Sequence, residues 1–217
     1  MKNRCNTFSA SKPYSTIAML FFFLLPFVPV QPQSDFVDAV EKERNENLKK
    51  LLDLRFRGGS GEFERQLLAS VQYTDYARRQ CLVGVVILSF SVSCDNTMSD
   101  FRMRNPLHHG LNEQLTAFFR STEEHWNRCT DERYTRFEIP VAFTIEGVKT
   151  NGRGFFTIEE ESSGYRCRDD QYYIERLERF RARGRTKKAI GMVDVLIRRN
   201  PFNTEYVEIK RALLSGE

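Results

Sequence analysis

The sequence predicts an α+β fold: a small antiparallel sheet of three to four strands packed on one helix and followed by a helical hairpin. Three observations predict it. Two stretches, Gly84 to Val92 and Phe137 to Glu146, alternate side chains with the period of two that a strand with one buried face requires. Between them Leu111, Leu115, Phe118 and Phe119 recur at helical intervals, giving one apolar face for the sheet to pack on. Beyond Gln171 the pattern is helical, interrupted at Gly184 and at Asn200-Pro201.

At the start of the chain Lys2, Arg4 and Lys12 precede the uncharged run Ile17 to Val30, the layout of a targeting segment. The run is shorter than the roughly 20 residues a membrane-spanning helix needs, and Pro26 and Pro29 interrupt it. A signal peptide with maturation near Gln31 is the favoured reading. A poor cleavage pattern, with Val28 and Val30 at the small-residue positions, keeps an uncleaved anchor as the alternative. From Ser34 to Phe56, Phe36, Val37, Val40, Leu48, Leu51, Leu52 and Leu54 fall at helical spacing among many charges, which predicts an exposed amphipathic helix. The tract Arg57-Gly-Gly-Ser-Gly-Glu62 has the composition of a hinge.

In the first strand, Val86, Leu88, Phe90 and Val92 point one way and Ser89, Ser91 and Ser93 the other. Asp95-Asn96 supplies a turn into a weaker strand, Met98 to Arg104, which Asn105-Pro106 ends. The clearest strand is Phe137 to Glu146. Pro140 has no amide proton to donate, so this strand is expected at an edge of the sheet. Asn151-Gly152 offers another turn, and Phe155 to Ile158 can add a fourth strand. Helices are expected over Gln171 to Arg183 and Lys187 to Arg199, with a third from near Thr204.

The formal charge of +4 is small and acids nearly balance bases, so no long-range field commits the chain to nucleic acid or to an anionic membrane. The basic run Arg179, Arg181, Arg183, Arg185, Lys187 and Lys188 is read as a solvated face balanced by Glu175, Glu178, Asp169 and Asp170, against a nucleic-acid reading that would want interleaved aromatics. No catalytic constellation emerges. His108, His109 and His125 match no metal or nucleophile motif, the runs Glu159-Glu160-Glu161 and Asp169-Asp170 lack calcium-loop spacing, and no glycine-rich phosphate loop is present. The chain is therefore read as non-enzymatic, with no cofactor and no metal. Cys5 leaves with a cleaved signal, so Cys81, Cys94, Cys129 and Cys167 remain, an even number that favours disulfides over buried thiols. An antiparallel pairing of the two strong strands brings Cys94 to Cys129 and Cys81 to Cys167.

Tyr73-Thr-Asp-Tyr-Ala77-Arg78 and a later Gly84-Val-Val, followed by Phe90-Ser-Val, Asp95-Asn96, the helix ahead of Trp126 and Ile139-Pro-Val-Ala-Phe143, stand in one order. This order resembles the C-terminal domain of the TonB family over roughly Leu67 to Gly147. Thr74 departs from the pattern by replacing a proline, and the cysteines are additions. The resemblance implies a Gram-negative envelope protein that binds an extended peptide, such as one from an outer-membrane transporter, by adding it to a sheet edge. The docking edge it implies is Val141, Ala142, Phe143, Thr144, Ile145 and Glu146, with Tyr73 as a further contact. Trp126 and Phe143 are also expected to pack in the core. Gly184, Ala189 and Pro201 stand at the spacings of a tetratricopeptide repeat, of which one unit is visible; such a unit must pack on the preceding domain or on a partner.

The expected divisions are residues 1–33 as signal peptide or short anchor, 34–62 as helix and Gly-rich linker, 63–149 as the TonB-like domain, 150–171 as a connector with an extra strand, and 172–217 as the repeat-like helices. Three functions remain in play. The first is a periplasmic or envelope protein-protein interaction module. The second is a short anchored energy transducer for outer-membrane uptake, which the missing Pro-rich reach disfavours, and the third is a structural scaffold or an unrecognised enzyme. Membrane contact is expected only through an uncleaved N-terminal segment.

Overall fold

In the computed structural model, which describes residues 33–161 and 164–216, two helices meet at a tight corner: α1 (Gln33–Arg55) and α2 (Gly59–Ser70). The targeting-segment reading falls on residues outside those described. Leu48, Leu52 and Phe56, four apart and so on one helical face, are buried against Phe63 and Leu67 of α2. The C-terminal half of α1 is therefore a core element rather than the exposed helix its charges suggested. The expected glycine hinge is also corrected. Gly58 (φ 87°) and Gly59 (φ 73°) close the corner in the left-handed region, and α2 starts at once. The Asp53 carboxylate accepts from the Ser60 amide at 2.8 Å and its hydroxyl at 2.6 Å, satisfying an orphan donor of the new helix.

Thr74 caps the short α3 (Asp75–Arg79), its hydroxyl accepting from Ala77 N at 3.1 Å. There follow β1 (Gly84–Val92), β2 (Met98–Arg104), α4 (Leu111–Ser121), β3 (Arg136–Ile145) and β4 (Phe156–Glu160), in sheet order β2-β1-β3-β4. β1 runs antiparallel to both neighbours, whereas β4 lies parallel to β3. The α+β class is as the sequence predicts, but the sheet is mixed and β3 is inside it. The edge expectation from Pro140 fails for a local reason. Pro140 sits opposite Ile87 with its backbone turned away from β1, and its carbonyl accepts from Phe155 N at 2.7 Å. Its missing donor thus faces the β4 flank just before the parallel ladder starts at Val141, where no bond is lost.

One face of the sheet carries Val86, Leu88, Phe90, Val92, Phe137, Ile139, Val141, Phe143 and Ile145 into a core shared with α2, α4 and the end of α1. α4 contributes Leu111, Leu115, Phe118 and Phe119. Trp126 lies among Phe56, Phe90 and Phe137, with ring centroids 5.2, 5.6 and 4.7 Å away, so its role is packing. Disulfides Cys81–Cys167 and Cys94–Cys129 form as the strand pairing predicts.

The last three helices, α5 (Asp170–Ala182), α6 (Thr186–Arg199) and α7 (Thr204–Ser215), hold a second core of Leu177, Phe180, Ala189, Val193, Leu196 and Tyr206. Gly184 makes the α5–α6 turn at φ 61°. This unit packs on the sheet through the end of α6. Buried Arg199 donates to Asp170 Oδ1 and to Arg168 O, each at 2.8 Å, while Asp170 Oδ2 accepts from Asn151 N at 2.7 Å. Asn105 Nδ2 bridges Val85 O and Arg198 O at 2.6 and 2.7 Å.

Candidate functional site

The segment expected to accept a guest strand is already paired along its whole length. Val141, Ala142, Phe143, Thr144 and Ile145 face Phe156, Thr157, Ile158, Glu159 and Glu160 across the parallel ladder, and Glu146 N donates to Glu160 O at 2.9 Å. On the other side Phe143, Ala142 and Val141 pair with Gly84, Val85 and Val86. The docking edge at Val141–Glu146 is therefore corrected: the chain's own β4 fills it. Gly154 makes this approach possible, because a Cβ there would lie 2.4 Å from Ala142 N and 2.6 Å from Phe156 O. Tyr73 is not a surface contact either. It is buried, its hydroxyl donates to Leu82 O at 2.8 Å, and its ring meets Phe143 edge-on at 5.8 Å; burial pushes the phenol well above its ordinary pKa.

The sheet has two other flanks. β4 is short, its last residue Glu160 meets Arg78 of α3 at 3.3 Å, and the segment after it is tied to the α3 region by Cys81–Cys167. β2 is longer and, among the described residues, has no strand on its outer side. Its backbone polarity follows from the register. Val92 N donates to Thr135 O beside β3, so the alternate residues Ser91, Ser89 and Ile87 turn their backbone groups toward β2, opposite Ser99, Arg102 and Arg104. Met98 and Met103, opposite Val92 and Leu88, then present N–H and C=O outward. A bulge between Ser89 and Ser91 places an extra residue on β2, near Asp100 at φ 55°. Below the strand, Phe101 stacks on Phe119 of α4 at 4.2 Å, and Met98 and Met103 pack on the core. The upper side carries exposed Arg102 and Arg104. This flank was missed from sequence because β2 has a weak alternation and the bulge breaks its register.

The remaining candidates gather no shared geometry. His108 and His109 occupy left-handed positions (φ 64° and 56°) in an exposed loop, where the His109 ring lies 4.5 Å from Tyr76. Among the described residues no group of three or more His, Cys, Asp or Glu side chains converges as a metal site would. The acids expected to balance the basic run are dispersed. Asp169 caps α5, Asp170 is locked to Arg199, Glu175 accepts from Gln171, and only Glu178 reaches a member of the run, Arg181, at 3.0 Å.

The two disulfides are compatible with an exported protein in an oxidising compartment, and no described helix is long and apolar enough to cross a membrane. No protein-family model, no curated protein and no solved structure matches this chain.

Proposed function

We propose that the chain is an exported envelope protein that binds an extended peptide by strand addition, with the guest lying along the outer flank of β2. The observation that carries the reading is that β2, seven residues long, has no strand beyond it among the described residues, while the other edge, β4, is shorter and is held to α3 by Arg78 at Glu160. A guest backbone would satisfy the outward groups of Met98 and Met103, and Arg102, beside the Arg104–Glu138 ion pair, would favour an acidic side chain on it. The resemblance to the TonB C-terminal family supplies the expectation of strand addition, and the periplasm is the compartment in which such a module and two disulfides belong together. The guest sits on the opposite side of the sheet from the family's expected edge, because β4 takes that position.

The test uses paired substitutions at one position. Met103→Pro removes the outward amide, whereas Met103→Val keeps it and trims the same packing. Partner recovered from envelope extracts by the parent protein and by the valine variant, and lost with the proline variant at unchanged circular dichroism, is the expected result. Equal recovery by all three sinks the β2 assignment.

A further inference from the structure

We infer that the free tip of the α5–α6 hairpin docks on an anionic lipid surface. The tip concentrates charge that the fold leaves unpaired. Arg179, Arg181, Arg183, Arg185, Lys187 and Lys188 all lie there, and every residue from Arg181 to Lys188 is exposed. Among the described residues Arg179, Arg183, Arg185 and Lys187 have no ion pair, since Glu178 bonds Arg181 and the neighbouring acids are used at the other end of α5. Lys188 lies over the Phe180 ring at 5.8 Å.

The tip is also accessible as a unit. α6 is docked to the sheet at its Arg198–Arg199 end. A helix of 14 residues therefore places its first residues about 20 Å from that junction. The end of α7 comes alongside: Ala212, Leu213 and Gly216 line an open cleft of about 520 Å³ with Arg181, Gly184 and Thr186. Leu214, next to that cleft, is 66% exposed. An exposed leucine next to a cleft at the cationic tip suits the headgroup boundary of a bilayer, where the apolar side chain enters and the tip's cations meet phosphates. Nucleic acid fits less well, because the only aromatic in the run, Phe180, is buried and offers no stacking face. This contact is separate from any made by the N-terminal apolar run. It rests on the exported part of the proposed function and not on the β2 flank.

Co-sedimentation of the full chain with phosphatidylglycerol-containing vesicles and with pure phosphatidylcholine vesicles tests it. The N-terminal segment is common to all variants, so differences among them report the tip. The triple variant Arg183→Gln, Arg185→Gln, Lys187→Gln is expected to lower the partition coefficient on anionic vesicles roughly 100-fold. Lys42→Gln, Lys50→Gln, Arg79→Gln, which removes equal charge elsewhere, should stay within about twofold. Arg183→Gln and Arg179→Gln alone, each expected to cost about fivefold, decide the matter if the triple variant melts early. Wild-type binding by the tip variants overturns the inference, as does equal binding to phosphatidylcholine. Loss of a single-stranded oligonucleotide by the tip variants with vesicle binding intact would move the surface to nucleic acid and overturn it too.

Discussion

Arg55 shows how one side chain ties distant parts of this fold together. Its guanidinium is fully buried and has no carboxylate partner among its hydrogen bonds. Instead it donates to Asn127 O (3.0 Å), Tyr134 O (2.7 Å), Ser93 O (2.9 Å), Val92 O (3.4 Å) and Cys129 Sγ (2.8 Å). Burial draws its pKa below the ordinary value, yet carbonyl dipoles on three segments hold the charge in place. Removing it orphans several buried acceptors at once. Arg55→Ala should therefore cost on the order of 3–5 kcal/mol in urea unfolding, and Arg55→Lys should recover only part, because an ammonium cannot reach all five acceptors from one point. Asp53 works at the same scale but at the surface. Hydrogen bonds from Lys49 and Ser60 lower its pKa to about 2. A carboxylate lowered in the folded state contributes stability above its unfolded pKa near 4 and loses it as the pH falls toward 2. Acid titration of stability should show a weaker fall between about pH 4 and 2 in Asp53→Asn than in the parent; identical curves would remove the corner role of Asp53.

Among the elements, the strands and the pairing of the two strong ones were legible, and which strands form the edges of the sheet was not. Period-two alternation located β1 and β3, and the antiparallel pairing inferred from it placed all four cysteines correctly. The position of β3 in the sheet could not be read, because Pro140 says only that one amide is missing. It does not say on which side, nor that a parallel strand would begin one residue later. α2 was hidden by Gly58-Gly59-Ser60-Gly61, whose composition signals flexibility. Only the Asp53–Ser60 bonds, which join two helices, show why it is helical. The docking residues Val141 to Glu146 failed together because, although a fourth strand is expected, the sequence does not show on which flank it pairs or that Gly154 lets β4 close on Ala142. Tyr73 failed because it is buried against Phe143. The disulfides offer a test at this scale. Cys81–Cys167 closes a separation of 86 residues and Cys94–Cys129 one of 35. In the loop-entropy account these stabilise by about 4.5 and about 4 kcal/mol respectively. Paired serine variants should follow that order in denaturant titration unless loss of the Cys129 Sγ acceptor beside Arg55 reverses it. A larger loss for Cys94→Ser/Cys129→Ser, abolished in an Arg55→Met background, would identify the acceptor effect.

At the scale of the whole molecule, two cores meet at one narrow junction. The sheet core and the helical core share no buried apolar residue; they are joined by backbone fit, the Arg199–Asp170–Asn151 network, the Asn105 bridge and the Arg44 guanidinium over the Phe202 ring. The fit depends on two glycines. A Cβ on Gly152 would lie 1.8 Å from Arg199 O, and one on Gly84 would lie 2.6 Å from Arg198 O; both neighbours are backbone and cannot swing aside. Gly152→Ala must therefore shift the end of α6 away from the sheet, which also pulls Arg199 from Asp170 and exposes a half-broken ion pair. The sheet core, closed by both disulfides, keeps its contacts under this change, while the three-helix unit loses the fit at the end of α6 and is left held by the Cys81–Cys167 tether and by Arg44 stacked on Phe202 at 4.1 Å. Calorimetry should then show the parent's single transition resolve into two, with the helical unit melting first. A Gly61→Ala control, where an added Cβ meets nothing within 4 Å, should leave one transition. A single, uniformly lowered transition in Gly152→Ala would mean instead that the two cores unfold as one cooperative body, and that the junction transmits stability across the molecule rather than separating it.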